Sequence, residues 1–153
     1  MRDFFITKQN TAVTVPLLFA ALVLSNPGNA TAERTSEDSN DRANVYFISP
    51  APDSVVASPV TVRFGLRHMG IAPAGIAFPS TGHHHLLVDQ EIPSDLTLPL
   101  PSTKKILHFG KGQTEVELAL PPGEHRLQLL LGDHLHRPHR PPVLSEPIHI
   151  TVQ

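Results

Sequence analysis

Histidine dominates the chemistry available to this chain. Three of its ten histidines are consecutive in Gly82-His83-His84-His85-Leu86-Leu87-Val88-Asp89, His108 follows, and a further group stands at His134, His136 and His139. The apolar run after the triplet reads as a β-strand, and a strand sends successive side chains to opposite faces. His83 and His85 should therefore share one face, with His84 on the other. Two imidazoles held at a fixed separation on a strand are half of a metal site. His108 and the group at His134, His136 and His139 are the candidates for the rest, and His84 is counted among the candidate ligands with them. A ligand set of imidazoles without thiolate suits Cu(II) or zinc. The same residues also read as a polar strand end whose imidazoles are solvated or satisfied in the core.

Around these, Asp133 is placed to orient an imidazole from behind, as carboxylates do in many metal sites. Glu115 and Gln113, just past the glycine turn that follows His108, can supply oxygen ligands or hydrogen bonds. Pro138, Pro141 and Pro142 fix φ in the second histidine stretch and limit its freedom. His68, His125 and His149 look solvent-facing or turn-borne and stay outside the expected site. No catalytic residue is nominated. Ser80 and Thr81 precede the triplet, yet no G-x-S-x-G and no Cys–His pairing exists, and Asp89, Glu115, Glu117 and Asp133 form no evident acid–base pair.

The elements that must position these residues begin after a leader. Arg2 and Lys8 precede the apolar run Val13 to Leu24, which is too short to span a bilayer comfortably, and small residues offer cleavage after Ala30 or Ala32. Residues 1–32 are thus expected to be a signal peptide that directs the protein to the periplasm or cell exterior, with no membrane span left after cleavage. The polar stretch 33–43 is expected to be a disordered arm, and 44–153 a single domain. The chain has no cysteine, which excludes disulfides and thiolate-bound metals. Removing two basic residues and one acidic residue with the leader leaves 10 basic against 13 acidic residues. That mild balance, without a basic patch, argues against a nucleic-acid partner.

Short runs of period two make up the domain. They are Asn44 to Ser49, Val60 to Leu66, the histidine strand to Val88, Lys104 to Phe109, Thr114 to Leu120, His125 to Leu131 and Ile148 to Val152. Proline and glycine separate them: Pro50-Ala51-Pro52-Asp53 as a turn, Gly70 to Gly82 as a loop, Gln90 to Thr103 as a long connection, and Pro121-Pro122-Gly123-Glu124 as a hairpin-type turn. Helices are excluded by the proline spacing and the period. Seven or so strands at this spacing predict an all-β fold, a single antiparallel immunoglobulin-like β-sandwich without its disulfide.

The stretches Gly82 to Asp89, His108-Phe109-Gly110-Lys111-Gly112-Gln113-Thr114-Glu115, and Leu130-Leu131-Gly132-Asp133-His134-Leu135-His136 through His139 and Pro142 resemble one bacterial family, domain of unknown function 4399. Tyr46 to Pro50 and Ser58 to Val62 fit its start, so the resemblance runs from about Val45 to Val152. It implies a small exported domain of immunoglobulin-like type and brings no activity with it. Its histidine positions match at His83, His84, His85, His108, His134, His136 and His139.

The expected function is therefore an exported histidine-rich binding module that coordinates copper or zinc for storage, delivery or sensing. The alternative is a metal-free envelope domain that binds a peptide, a glycan or a partner protein. A mononuclear metalloenzyme is the third option, if a coordination position stays open.

Overall fold

The computed structural model describes residues 42–153; the expected signal peptide and nearly all of the expected arm lie outside the described residues. Nine strands make up the domain: β1 Asn44–Ser49, β2 Ser54–Val56, β3 Val60–Arg67, β4 Gly70–Ile71, β5 Thr81–Val88, β6 Ile106–His108, β7 Glu115–Leu118, β8 Gly123–Gly132 and β9 Ile148–Val152. No helix occurs among the described residues. The seven expected runs all carry strands. The two additional ones, β2 and β4, are three and two residues long, too short to show a period.

The strands form two sheets. One has the order β1-β3-β7; the other runs β2-β9-β8-β5-β4, with β6 also paired to β5. Set against β9-β8-β5-β6, the trio β1-β3-β7 reproduces the arrangement in which first, second and fifth immunoglobulin strands face the G-F-C sheet with an added C′. The fold is an immunoglobulin-like sandwich. Its sheets are not purely antiparallel, because β2 runs parallel to β9 and β4 parallel to β5. The expected hairpin at Pro121–Glu124 is also different in fact. β7 pairs with β3 and β8 with β5 and β9, so this turn carries the chain from one sheet to the other. Leu118 and Leu127, either side of it, face the same core, which is why the alternation looked continuous.

Two apolar clusters follow from the alternation. Val60, Val62 and Phe64 of β3 meet Leu86 and Val88 of β5 and Leu127, Leu129 and Leu131 of β8 between the sheets. On the outer face of the larger sheet, Leu87, Leu100, Ile106 and Leu130 form a second cluster, with Ile92, Leu96 and Leu144 packed on it. The long connection after β5 therefore lies over the sheet as a cover. As a result β5 is buried on both faces from Gly82 to Val88. This matters for the site, because anything β5 places on its outer face is shut away from water.

His125 corrects the sequence reading, which had it solvent-facing or turn-borne. It is buried on β8, in phase with Leu127. Its Nδ1 lies 2.8 Å from an Asp89 carboxylate oxygen and its Nε2 2.9 Å from the Pro121 carbonyl. Both partners are acceptors, so the doubly protonated ring suits the place. Burial opposes the charge, but these contacts outweigh it and raise the His125 pKa. At Asp89 burial likewise pushes upward, and the bonds from His125 and the Arg126 N–H prevail and lower it.

Candidate metal centre

β5 is the central support of the site. Its register with β8 sets His83 opposite Gly132 and His85 opposite Leu130, and its register with β6 sets His85 directly opposite His108. Opposed residues on neighbouring strands bring their side chains together on one face. His83 and His85 project to the outer face with Leu87, and His108 joins them from β6. One ring nitrogen of each of these three histidines lies within 4.8 Å of the other two. Ring centroids are 4.9 Å apart for His83–His85 and His83–His108, and 5.1 Å for His85–His108.

Glycines make the room. A Cβ on Gly132 would lie 2.7 Å from Cε1 of His85, and one on Gly110 would lie 2.5 Å from Nε2 of His108. Gly82 does the same for the backbone: its Cβ would stand 2.6 Å from the Gly132 carbonyl oxygen and 2.9 Å from Leu131 Cγ. Gly82→Ala should therefore destabilise the fold by about 2–3 kcal/mol, as overpacking against an immobile backbone does. Chemical denaturation measures this, and an unchanged midpoint would mean that β5 and β8 can separate locally without loss.

His136 approaches the group from the β8–β9 connection, outside the three whose nitrogens converge within 4.8 Å. Its ring centroid is 4.6 Å from that of His108, 5.1 Å from His83 and 6.2 Å from His85. It stands at φ 66°, in the left-handed region. Asp133 shapes the turn that holds it there: its carboxylate Oδ1 accepts the Leu135 and Arg137 N–H groups, each at 2.8 Å, and its carbonyl accepts the His136 N–H at 2.9 Å. The His136 carbonyl in turn accepts the Leu100 N–H at 2.8 Å.

The other expected members are placed elsewhere. His84 lies on the inner face of β5, fully buried, with its ring centroid 4.7 Å from that of Phe64. His139 packs behind β5, its Nε2 only 2.8 Å from where a Gly82 Cβ would be. His134 and His139 both line a cleft to one side of the group. Of the expected supporting residues, Asp133 builds the turn rather than bonding an imidazole. Glu115 pairs with Arg63 at 3.0 Å on the other sheet, and Gln113 Oε1 accepts the Lys111 N–H at 3.0 Å.

The electrostatics of the group are those of neutral, unengaged rings. Neither nitrogen of His83 nor of His85 has a hydrogen-bond partner, although all four atoms are buried, and His108 Nε2 is in the same state. Burial lowers the His83 pKa to about 4, helped by His108 and His136 and opposed by Asp133. Burial lowers His85 to about 3, with His83, His108 and His136 adding to it, and burial followed by His136 lowers His108. At neutral pH these rings carry no proton that a metal would have to displace.

His84 is also orphaned at both nitrogens and lowered to about 4, chiefly by burial; the backbones of Gly65 and Gln113 pull the other way without closing a hydrogen bond of good geometry. An apolar side chain fits such a place better than an unpartnered imidazole. His84→Leu should leave metal uptake intact and raise stability at pH 7 by about 1 kcal/mol. A loss of bound metal, or a fall in the denaturation midpoint, would contradict this assignment.

Residues 62–153 match the family described as Domain of unknown function (DUF4399). The chain belongs to this family. The matched stretch includes β5, β6 and the β8–β9 connection, hence every histidine of the group, whereas β1 and β2 precede it. No curated protein and no solved structure matches the chain.

Proposed function

We propose that this domain binds a transition-metal ion in an exported compartment, holding it through His83, His85 and His108. The observation that carries this reading is the convergence of three imidazole nitrogens within 4.8 Å, where His83 and His85 are buried with no partner at either nitrogen and the half-buried His108 has none at Nε2. Buried polar groups are ordinarily hydrogen-bonded, and one left bare has a cost of about 1–3 kcal/mol. A cluster of them on a rigid sheet is explained by a ligand that uses their lone pairs. Tetrahedral zinc with bonds of about 2.0–2.1 Å needs donors about 3.3 Å apart, a closure that side-chain rotation supplies. Copper(II) and zinc both suit an all-imidazole set, and the absence of cysteine removes the thiolate alternatives.

The test is metal analysis of tag-free protein purified from the exported compartment, alongside His83→Ala/His85→Ala. One equivalent of zinc or copper in the wild type and none in the variant is the expected result. A wild type that carries no metal, and takes up none at micromolar concentration, would sink the reading. A second reading, a domain that binds a peptide or glycan, is favoured by the neighbouring cleft of about 700 Å³ with Phe78, Thr81, His134, His139, Arg140 and Val143 in its walls.

A further inference from the structure

The four clustered histidines are not equivalent in how the fold holds them. His83 and His85 stand on the central strand, 0 % and 1 % exposed, between β8 and β6. His108 is opposite His85 in the ladder, and the Gly110 backbone closes against its ring. All three are anchored by a strand backbone, so their Cα positions are fixed by the ladder. His136 is different. It is half-buried, lies outside any strand, and belongs to a five-residue lobe, 133–137, closed at its base by the bridge between Gly132 and Pro138. Its main-chain bonds hold the lobe's shape, and its ring lies beside the other three, with its centroid 4.6 Å from that of His108.

We infer that His136 is the exchangeable ligand of the site, so that the metal rests on His83, His85 and His108 and enters or leaves where His136 lets go. This deepens the metal-binding reading above and rests on it. With only the three ladder histidines as ligands, none can let go without reducing the hold on the ion to two imidazoles. A fourth ligand on a lobe allows another route. An incoming donor from an acceptor molecule takes the His136 position while three imidazoles still hold the ion, and the remaining bonds then pass over one at a time. No buried ladder bond has to break. Such a site suits delivery of a metal rather than its storage. Asp133 is the positioning residue for this ligand, because its carboxylate fastens the N–H groups on either side of His136.

The test uses zinc as the probe and compares wild type, His136→Gly and His108→Ala. Glycine is chosen because it adopts the positive φ of this position freely. Metal content after gel filtration and release to a chromogenic chelator are the two readouts. The wild type is expected to hold one zinc and to release it at a rate that rises with chelator concentration. His136→Gly should still hold one zinc and release it about tenfold to a hundredfold faster, while His108→Ala should hold none. Asp133→Asn should speed release without changing the stoichiometry, which a purely structural role for this carboxylate would not do. The inference is overturned if His136→Gly loses zinc as completely as His108→Ala. It is equally overturned if the variant releases zinc at the wild-type rate, or if wild-type release is independent of the chelator. A wild type that takes up no zinc is a separate outcome and overturns the metal-binding reading together with this one.

Discussion

Zinc added in excess is expected to raise the melting temperature of the protein by about 15 °C or more. A ligand that binds only the folded state adds RT ln(1 + [L]/Kd), about 4 kcal/mol at a thousandfold excess over Kd. For a domain of this size each kcal/mol moves the midpoint by about 4 °C or more. The structure gives a reason to expect the full effect. The three donors come from β5 and β6, and only the folded ladder sets His108 opposite His85. The double variant His83→Ala/His85→Ala should show no shift with zinc. Its metal-free form should be little worse than wild type, since two unpartnered imidazoles go with the packing that is lost. Differential scanning calorimetry with and without zinc decides this. A shift retained in the double variant would place the metal elsewhere.

Acid should destabilise the metal-free protein steeply, and well before carboxylates protonate. His83 and His84 are held down to about 4 and His85 to about 3. In the unfolded chain they return to about 6.5. Between these values the unfolded state binds more protons than the folded one, so stability falls as pH drops below about 6.5 and continues to fall until the folded rings themselves protonate. At pH 5 each such histidine contributes a loss of up to about 2 kcal/mol, and three together about 6. That is a large part of the 5–15 kcal/mol that holds a typical domain together. The His125–Asp89 pair works in the opposite sense. The raised His125 contributes stability that is fully present below about 6.5, and the lowered Asp89 keeps its share until well into acid. It is therefore no source of the predicted loss. Urea unfolding from pH 7.5 to 5 measures the slope; a flat profile would mean that the clustered rings are hydrated or hydrogen-bonded in solution.

Much of this was legible from residue types alone. Period-two alternation located seven of the nine strands, with β1 and β9 placed to the residue, and proline and glycine marked the breaks. Strand parity separated His84 from His83 and His85, because a strand leaves no other choice. What lay beyond the sequence was long-range register. Nothing local says that β6 pairs with β5 so as to bring His108 opposite His85, nor that the turn at Pro121–Glu124 changes sheets. The 134–139 stretch was harder still. Its three histidines look alike in the sequence, and only the left-handed conformation of His136 and the clasp of Asp133 turn one ring toward the group and leave His134 and His139 beside the cleft. The buried His125 carried a usable signal, since it shares parity with Leu127, Leu129 and Leu131.

The shortness of β6 gives the site one more role. With three residues, between two loops, this strand has little hydrophobic pattern to fix its alignment on β5. A slip by a single position would turn His108 to the opposite face and leave Leu107 beside His85. An ion shared by His83, His85 and His108 tolerates no such error, because the misaligned sheet offers it two donors instead of three. Metal capture would thus act as proofreading of this edge, rewarding only the chain that has assembled its strands in the correct alignment.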